Sequence, residues 1–224
     1  MIQSVLIQII YFDTINIMEQ IKAVLFDYDG VMTYDKTGIE SICKYISSYM
    51  SIDKKMFEKE YRQFIGDLIF GKTTHEKIWD KLCADLNINI PIAFLYHSFN
   101  QTPIDKDMHE IVKKLKNNGF KTGLITGNFA DRMDYIKHKF GLNDLFDVFA
   151  ISGALGFGKE SEKIYLWTLE QLGIKPEESV FIDNQDKNLL IPRKLGMHVI
   201  YFCDEKRDWQ RLASNLGKFG IEIP

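Results

Sequence analysis

The feature that most constrains the fold is a regular alternation of helical and strand-like patterns after Pro103. Apolar residues recur there at helical spacing and then in short continuous runs, and this order repeats along the chain. The predicted helices are residues 105–118, 129–140, 161–172, about 186–195 and 206–217, and the predicted strands are 121–127, 147–152, 179–183 and 198–202. Because strands joined by helices run parallel, the pattern predicts an α/β protein with a doubly wound, Rossmann-like sheet.

A further strand precedes this region and ends on two carboxylates. Residues 21–27 read IKAVLFD, with Lys22 the only polar residue before Asp27, and they predict a buried strand of the same sheet. Asp29 follows, and Gly30 completes the sequence DYDG. Alternate residues of a strand point to one side, so both carboxylates are expected to face one site if the extended geometry continues through Asp29.

The segment between this strand and the alternating region has a different character. Its apolar and aromatic residues fall at helical spacing, which predicts a helical insert whose aromatic side chains form its own core. Within it, Thr73 and Glu76 of the sequence TTHE predict a capping box that opens a helix. The expected organisation is an N-terminal extension at 1–17, a catalytic core at 18–36 and 101–224, and a helical cap at 37–100.

Composition excludes several classes of protein. The 224 residues include 46% hydrophobic and 26% charged residues, as in ordinary globular proteins, and the net charge of −3 gives no reason to expect nucleic-acid binding. Three widely spaced cysteines argue against a disulfide framework or a zinc site, so a reducing, cytoplasmic location is expected. Residues 1–16 are apolar but lack a basic start and are too short to span a membrane, and no membrane association is expected.

Polar side chains follow the predicted strands at their carboxyl ends, the edge where open parallel sheets bind ligands. The residues at this edge are Asp27 and Asp29, Thr126 and Gly127, Lys159, and Asp183 followed by Asn184. Each also has an ordinary interpretation, since Asp-Gly is turn chemistry, threonine caps helices and lysine is usually exposed. Their occurrence together, at successive strand ends, favours a shared site.

These residue types suit phosphoryl transfer. Asp27 could act as a nucleophile that forms an aspartyl-phosphate. Mg²⁺ prefers hard oxygen ligands, which Asp27, Asp183 and the backbone carbonyl of Asp29 could provide. Asp29 could protonate the leaving alkoxide and then activate water as a general acid and base.

The remaining polar groups suit an anion. Thr126, the amide of Gly127 and Lys159 could hold phosphate oxygens, because helix N-termini and cations favour negative charge. The expected partner is therefore a small-molecule phosphate ester.

The motifs DYDGVMT, LITGN, FGKESEKIY and FIDNQDKNLLIPRKLGM resemble, in order, the four motifs of the haloacid dehalogenase superfamily, over residues 20–203. The resemblance implies a nucleophilic Asp27, an acid/base Asp29, phosphate-binding Thr126 and Lys159, and a magnesium-binding Asp183. A helical cap between the first and second motifs also resembles this superfamily, and the fourth motif is similar to the branch that holds sugar-phosphatase-like proteins and the phosphatase domain of epoxide hydrolases.

The sequence departs from the family pattern twice. Glu160 follows the lysine of the third motif where proline is usual, and Asn184 stands where a second acidic residue is common in the fourth motif. An amide oxygen can still reach a metal but carries less charge, so weaker magnesium binding is expected.

Asp29 separates the reactions within the superfamily. The dehalogenating members lack this carboxylate because a halide leaves without a proton, whereas the alkoxide of a phosphate ester needs one. The expected activity is therefore magnesium-dependent hydrolysis of a small phosphorylated metabolite. A phosphomutase, a receiver-like phospho-accepting protein and a catalytically silent binding relative remain alternatives. The sequence leaves open the substrate, the oligomeric state, and whether Arg62, Lys72 and His75 face the site or the solvent.

Overall fold

The computed structural model describes residues 20–223, in which five parallel strands form one sheet in the order β3-β2-β1-β4-β5. The strands are β1 (Ala23–Phe26), β2 (Lys121–Thr126), β3 (Val148–Ile151), β4 (Ser179–Asp183) and β5 (His198–Tyr201). The doubly wound α/β fold and the helical insert are thus confirmed. The predicted extension at 1–17 lies outside the described residues.

The predicted helices of the core occur in the predicted order, and two short helices, α7 and α8 in the following list, were not predicted. They are α1 (Gly38–Met50), α2 (Lys54–Ile69), α3 (His75–Asp85), α4 (Ala93–Asn100), α5 (Lys106–Asn117), α6 (Ala130–Lys139), α7 (Leu142–Leu145), α8 (Ser152–Leu155), α9 (Glu162–Leu172), α10 (Leu190–Lys194) and α11 (Trp209–Gly217). The predicted helix at 186–195 is split into a 3-10 turn, Asp186–Leu189, and α10. The last helix starts later than predicted, because Arg207 has a φ of 45° and Asp208 caps the helix.

Alternation along β1 explains why helices cover both faces of the sheet. Ala23 and Leu25 point to a core formed with α9, while Val24 and Phe26 point to a core formed with α5, α6 and α11. All four side chains are fully buried. A strand that is apolar on both sides needs two covering layers, which the helices supply.

The parallel register brings two carboxylates together at the centre of the sheet. β1 lies between β2 and β4, and Phe26 is paired with Ile182. The Asp27 amide donates to the Ile182 carbonyl at 2.9 Å, so Asp27 lies beside Asp183 at the end of β4. This is the switch point of the strand order, where open α/β sheets bind ligands.

The extended backbone that would place Asp27 and Asp29 on one side of a strand does not continue through Asp29. β1 ends at Phe26, and the chain turns so that the Met32 amide donates to the Tyr28 carbonyl at 2.8 Å. Gly30 has a φ of 84°, which a glycine adopts without strain. Asp29 therefore reaches the site from a turn and not from the strand.

Helices α1–α4 lie between β1 and α5, and no strand occurs within residues 38–100. Four of their aromatic residues, Phe57, Tyr61, Trp79 and Phe99, are buried. These side chains belong to the same apolar cluster as Phe26 and Val24, so the insert shares a core with one face of the sheet. The aromatic residues of the insert thus form a core, as predicted, but this core is shared with the sheet and is not the insert's own.

The predicted Thr73–Glu76 capping box is wrong. α3 begins at His75 with Thr74 at the N-cap, whose side chain makes no capping hydrogen bond. The Asp131 carboxylate of α6 instead accepts from the His75 amide at 3.1 Å and contacts the ring Nδ1 at 2.8 Å. A residue of the core thus satisfies an N–H that a local side chain was expected to satisfy.

Two further findings concern disulfide bonds and membrane-spanning helices, both of which were considered from the composition. The three cysteines are free. Across residues 20–223, none of the helices combines the length and the apolar character needed to cross a bilayer.

Candidate active site

A cavity of about 500 Å³ opens where the carboxyl ends of the strands meet the insert. Five of the six predicted site residues line it, namely Asp27, Asp29, Thr126, Gly127 and Lys159. The sixth, Asp183, is fully buried and does not line the cavity, but it contacts Lys159. Residues from four strand ends therefore meet at one place.

Lys159 bridges the two carboxylates of the sheet edge. Its Nζ lies 2.8 Å from Asp27 Oδ1 and 2.8 Å from Asp183 Oδ2. Asp27 is 4% exposed, Asp183 0% and Lys159 9%, so the cluster is largely desolvated. The ammonium accounts for how two buried carboxylates can lie side by side.

Burial and charge act in opposite directions on this cluster. Burial raises the pKa of Asp27 from 3.8 to about 7, although the neighbouring Lys159 ammonium lowers it. Burial also lowers the pKa of Lys159, but the carboxylates of Asp27 and Asp183 outweigh this effect and raise it above its usual value. A cation that approaches Asp27 would therefore favour its ionised form.

Asp183 is held by several donors. The Gln185 amide donates to Oδ1 at 2.7 Å, and the Asn188 side chain donates to both oxygens at 3.1 Å. These bonds fix the orientation of the carboxylate while Oδ2 also contacts Lys159. Asn188 was missed by the sequence analysis, although it stands five residues after Asp183 within the fourth motif.

The donor set beside Asp27 fits magnesium. Asn184 is buried, and its Oδ1 has no hydrogen-bond partner within residues 20–223. A Cβ on Gly30 would lie 2.1 Å from Asn184 Nδ2, so only glycine lets this amide approach the turn after Asp29. No cluster of three His, Cys, Asp or Glu side chains with metal-binding geometry occurs in the described chain. Two carboxylates with a carbonyl and an amide oxygen nevertheless suffice for Mg²⁺, which usually binds through one or two carboxylates.

The ends of β2 and β3 form the opposite wall of the cavity. Thr126 is almost fully buried while Gly127 is exposed, and a Cβ on Gly127 would meet no atom within 4 Å. The Asn128 amide donates to Ser152 Oγ at 2.9 Å, which ties the start of α6 to the end of β3. A hydroxyl, an open glycine and the Lys159 ammonium thus surround space large enough for a phosphate group.

Asp29 has a buried partner that the sequence analysis missed. Arg132 of α6 is fully buried and donates from Nη2 to Asp29 Oδ1 and from Nη1 to Asp29 Oδ2, both at 3.0 Å. Asn128 Nδ2 donates to the same Oδ2 at 2.8 Å. A signal was present, since Arg132 stands on the apolar stripe of α6 with Met133 and Ile136, where an arginine needs an ion partner.

A second arginine holds the turn that follows Asp29. Arg207 donates to the backbone carbonyls of Gly30, Val31 and Thr33, and it pairs with the Asp105 carboxylate. Its guanidinium thereby joins the segment after β5 to the turn and to the start of α5. The turn that carries Asp29 is therefore held in place by a residue from the C-terminal part of the chain.

The insert presents an apolar surface to the cavity. Ile39, Ile69 and Phe70 line it together with Lys36 and Thr37. The polar candidates considered from the sequence lie elsewhere. Arg62 pairs with Glu58 and Lys72 with Asp67 on exposed surfaces, and His75 is buried against Asp131 and Tyr61.

Comparison with known proteins agrees with this geometry. The family model of haloacid dehalogenase-like hydrolases matches residues 21–196. Among curated proteins, glyceraldehyde 3-phosphate phosphatase of Methanothermobacter thermautotrophicus is 23% identical over 91% of this chain and 94% of its own length. Bifunctional epoxide hydrolase 2 of Rattus norvegicus is 24% identical over 91% of this chain, which spans 40% of that protein.

Solved structures show the same fold. A HAD family enzyme from Bacteroides thetaiotaomicron superposes with a TM-score of 0.71 at 19% identity, covering 87% of this chain and 98% of that one. The same enzyme in complex with magnesium and inorganic phosphate superposes with a TM-score of 0.68 at 20% identity, covering 86% of this chain and 98% of that one.

Proposed function

Because this chain belongs to the haloacid dehalogenase-like hydrolases, we propose that it is a magnesium-dependent phosphatase of small phosphorylated metabolites. The observation that carries the proposal is the pair of carboxylates in one cavity, Asp27 beside Lys159 and Asp29 beside Arg132. A dehalogenase needs only the first carboxylate, whereas hydrolysis of a phosphate ester also needs a proton donor for the leaving alkoxide.

The first step forms an aspartyl-phosphate. A carboxylate oxygen of Asp27 attacks phosphorus, the bond from phosphorus to the ester oxygen breaks, and Asp29 gives a proton to the departing alkoxide. Thr126, the Gly127 amide and the Lys159 ammonium hold the phosphoryl oxygens during this transfer. Their positions around the cavity support these roles.

The second step returns the enzyme to its starting state. Asp29, now ionised, takes a proton from water, whose oxygen attacks phosphorus and releases inorganic phosphate with a free Asp27 carboxylate. Asp27, Asp183, the Asp29 carbonyl and the Asn184 amide would hold magnesium. The metal would supply positive charge that offsets the repulsion between these carboxylates and the anionic phosphate.

The substrate is proposed to be small. Residues 37–100 would act as a cap over the core at 18–36 and 101–224, so that the non-phosphate part of the ester lies against Ile39, Ile69 and Phe70. A closing cap would exclude bulk water while the phosphoryl group is transferred to Asp27. A cavity of about 500 Å³ has room for a metabolite but not for a macromolecule.

A screen of phosphate esters tests this function. Purified protein is incubated with glyceraldehyde 3-phosphate, phosphoserine, hexose phosphates and nucleotides, with Mg²⁺ or with EDTA, and phosphate release is measured. We expect release from at least one ester with Mg²⁺ and none with EDTA. Isomerisation of a sugar phosphate without net release would identify a phosphomutase, and a stable phosphoprotein or no turnover of any ester would contradict hydrolysis.

Replacing Asn184 by aspartate is expected to strengthen magnesium binding. The new carboxylate adds negative charge beside Asp27 and Asp183, which should lower the magnesium concentration for half activity by about tenfold. Calorimetric titration with Mg²⁺ measures the same change without substrate. Asn143→Asp, an exposed substitution at the start of α7, serves as the control that should alter neither value. An unchanged affinity in Asn184→Asp would rule out Asn184 as a metal contact.

A further inference from the structure

Arg132 is the buried cation nearest to the second carboxylate of the site. Its guanidinium is fully buried, and it forms a two-point ion pair with Asp29 across 103 positions of the chain. Such forked pairs fix the plane of a carboxylate as well as its charge. With the Asn128 amide on Oδ2, three hydrogen bonds occupy most of the roughly four lone-pair sites of the Asp29 carboxylate.

The same guanidinium touches both connections between the insert and the core. A Cβ on Gly38, the first residue of α1, would lie 2.4 Å from Arg132 Cζ. Nη2 also donates to Thr102 Oγ1 at 3.3 Å, in the connection after α4. Asp29 is thus held by a group that is itself enclosed by the two connections.

The residue before Arg132 anchors the insert to the same turn of α6. Asp131 accepts from the His75 amide and contacts its ring, and His75 Nε2 lies 2.7 Å from the Tyr61 hydroxyl. The pKa of Asp131 is lowered, because the hydrogen bonds and charge of His75 outweigh the effect of burial, which raises it. The first turn of α6 therefore contacts the insert through one side chain and Asp29 through the next.

We propose that Arg132 is a positioning residue that fixes the orientation of the Asp29 carboxylate beside the cavity, as proton transfer requires. The inference rests on the proposed phosphatase activity and adds a residue to it. Arg132 itself does not line the cavity, so it acts through Asp29 and not on the substrate. Only an arginine offers two parallel donors, and a lysine would keep the charge without the fork.

Two phosphate esters of similar size separate this role from a general structural one. The nitrophenolate of 4-nitrophenyl phosphate leaves without a proton, whereas the alkoxide of benzyl phosphate needs one. In Arg132→Met we expect kcat for benzyl phosphate to fall by about 10²-fold or more, with kcat for 4-nitrophenyl phosphate reduced less than about tenfold. Arg132→Lys should show a smaller preferential loss, and the KM values should change little. Arg193→Met, an exposed substitution on α10, is the matched control.

The double variant Asp29→Asn/Arg132→Met keeps the test decisive if Arg132→Met unfolds, because it removes both buried charges. We expect it to show the same ratio of benzyl to nitrophenyl turnover as Asp29→Asn alone, since residues that act as one unit are not additive. Equal losses on both esters in Arg132→Met, or a further change of the ratio in the double variant, would overturn the inference. Absence of phosphate release by the wild-type protein from both probes and from every ester of the screen would instead contradict the proposed function.

Discussion

Asp27→Asn is expected to lower kcat by about 10⁴-fold or more while leaving the fold intact. The amide cannot attack phosphorus as a carboxylate does, and loss of a covalent nucleophile removes a route that the other residues cannot replace. The fold should tolerate the change, because Lys159 keeps its contact with Asp183 at 2.8 Å. Phosphate release from the best ester of the screen measures the activity, and thermal unfolding measures the stability.

A second measurement distinguishes loss of the nucleophile from loss of binding. Wild-type protein quenched in acid during turnover should carry one phosphoryl group by intact mass, and Asp27→Asn should carry none. Asp134→Asn is the matched control, since Asp134 lies on an exposed part of α6 with 69% of its side chain accessible. Substantial hydrolysis by Asp27→Asn would show that another residue is the nucleophile.

Lys159→Met is expected to lower both stability and activity. The substitution removes the only cation that contacts Asp27 or Asp183 within residues 20–223, and it leaves two buried carboxylates facing each other. Loss of one partner from a buried ion cluster costs about 3–5 kcal/mol of unfolding free energy. Urea unfolding in EDTA measures this loss, and phosphate release should fall because the phosphoryl oxygens lose a charged contact.

The pH dependence of this loss has a defined sign. Burial already raises the pKa of Asp27 to about 7, and removal of the ammonium raises it further. In folded Lys159→Met, Asp27 then keeps a proton that the unfolded chain releases near pH 3.8. The stability of the variant therefore falls as the pH rises from 3.8 to the raised pKa of Asp27, above about 7. An equal loss of stability at acidic and alkaline pH would contradict the electrostatic explanation.

Magnesium should partly restore the stability of Lys159→Met. A cation that binds the native carboxylates stabilises the folded state, and the stabilisation rises with the logarithm of its affinity. The variant should bind Mg²⁺ more tightly than the wild type because no internal ammonium competes for Asp27 and Asp183. The increase in unfolding temperature on adding Mg²⁺ should therefore exceed that of the wild type. Lys163→Met on α9, an exposed lysine near Lys159 in sequence, should behave like the wild type. A smaller increase in Lys159→Met would argue against metal binding by Asp27 and Asp183.

The sheet and its strand ends could be predicted because their signals are local. Each buried strand is a short apolar run, as in SVFID at 179–183, and each helix has its own periodicity. Parallel strands then bring Asp27 and Asp183 to the same edge without further information. The expected gathering of Thr126 and Lys159 around the cavity has the same origin.

The cap of α3 and the backbone conformation after β1 could not be predicted in the same way. The Thr73–Glu76 capping box matches the local pattern, yet Asp131 from a distant helix caps α3. The sequence also left open whether extended backbone continues through Asp29, and in the structure β1 ends at Phe26 and the chain turns at Gly30. In both cases a tertiary contact or a turn decides between conformations that the local sequence allows.

By itself, the sequence determined which chemical groups stand at the ends of the strands, since apolar periodicity and motif order are properties of neighbouring residues. The tertiary structure alone decided which charges face each other. Lys159 between Asp27 and Asp183, and Arg132 against Asp29, join residues separated by 24 to 132 positions. The physical reason is that a buried charge is stable only beside a partner, and which partner is in reach depends on how the strands and helices pack.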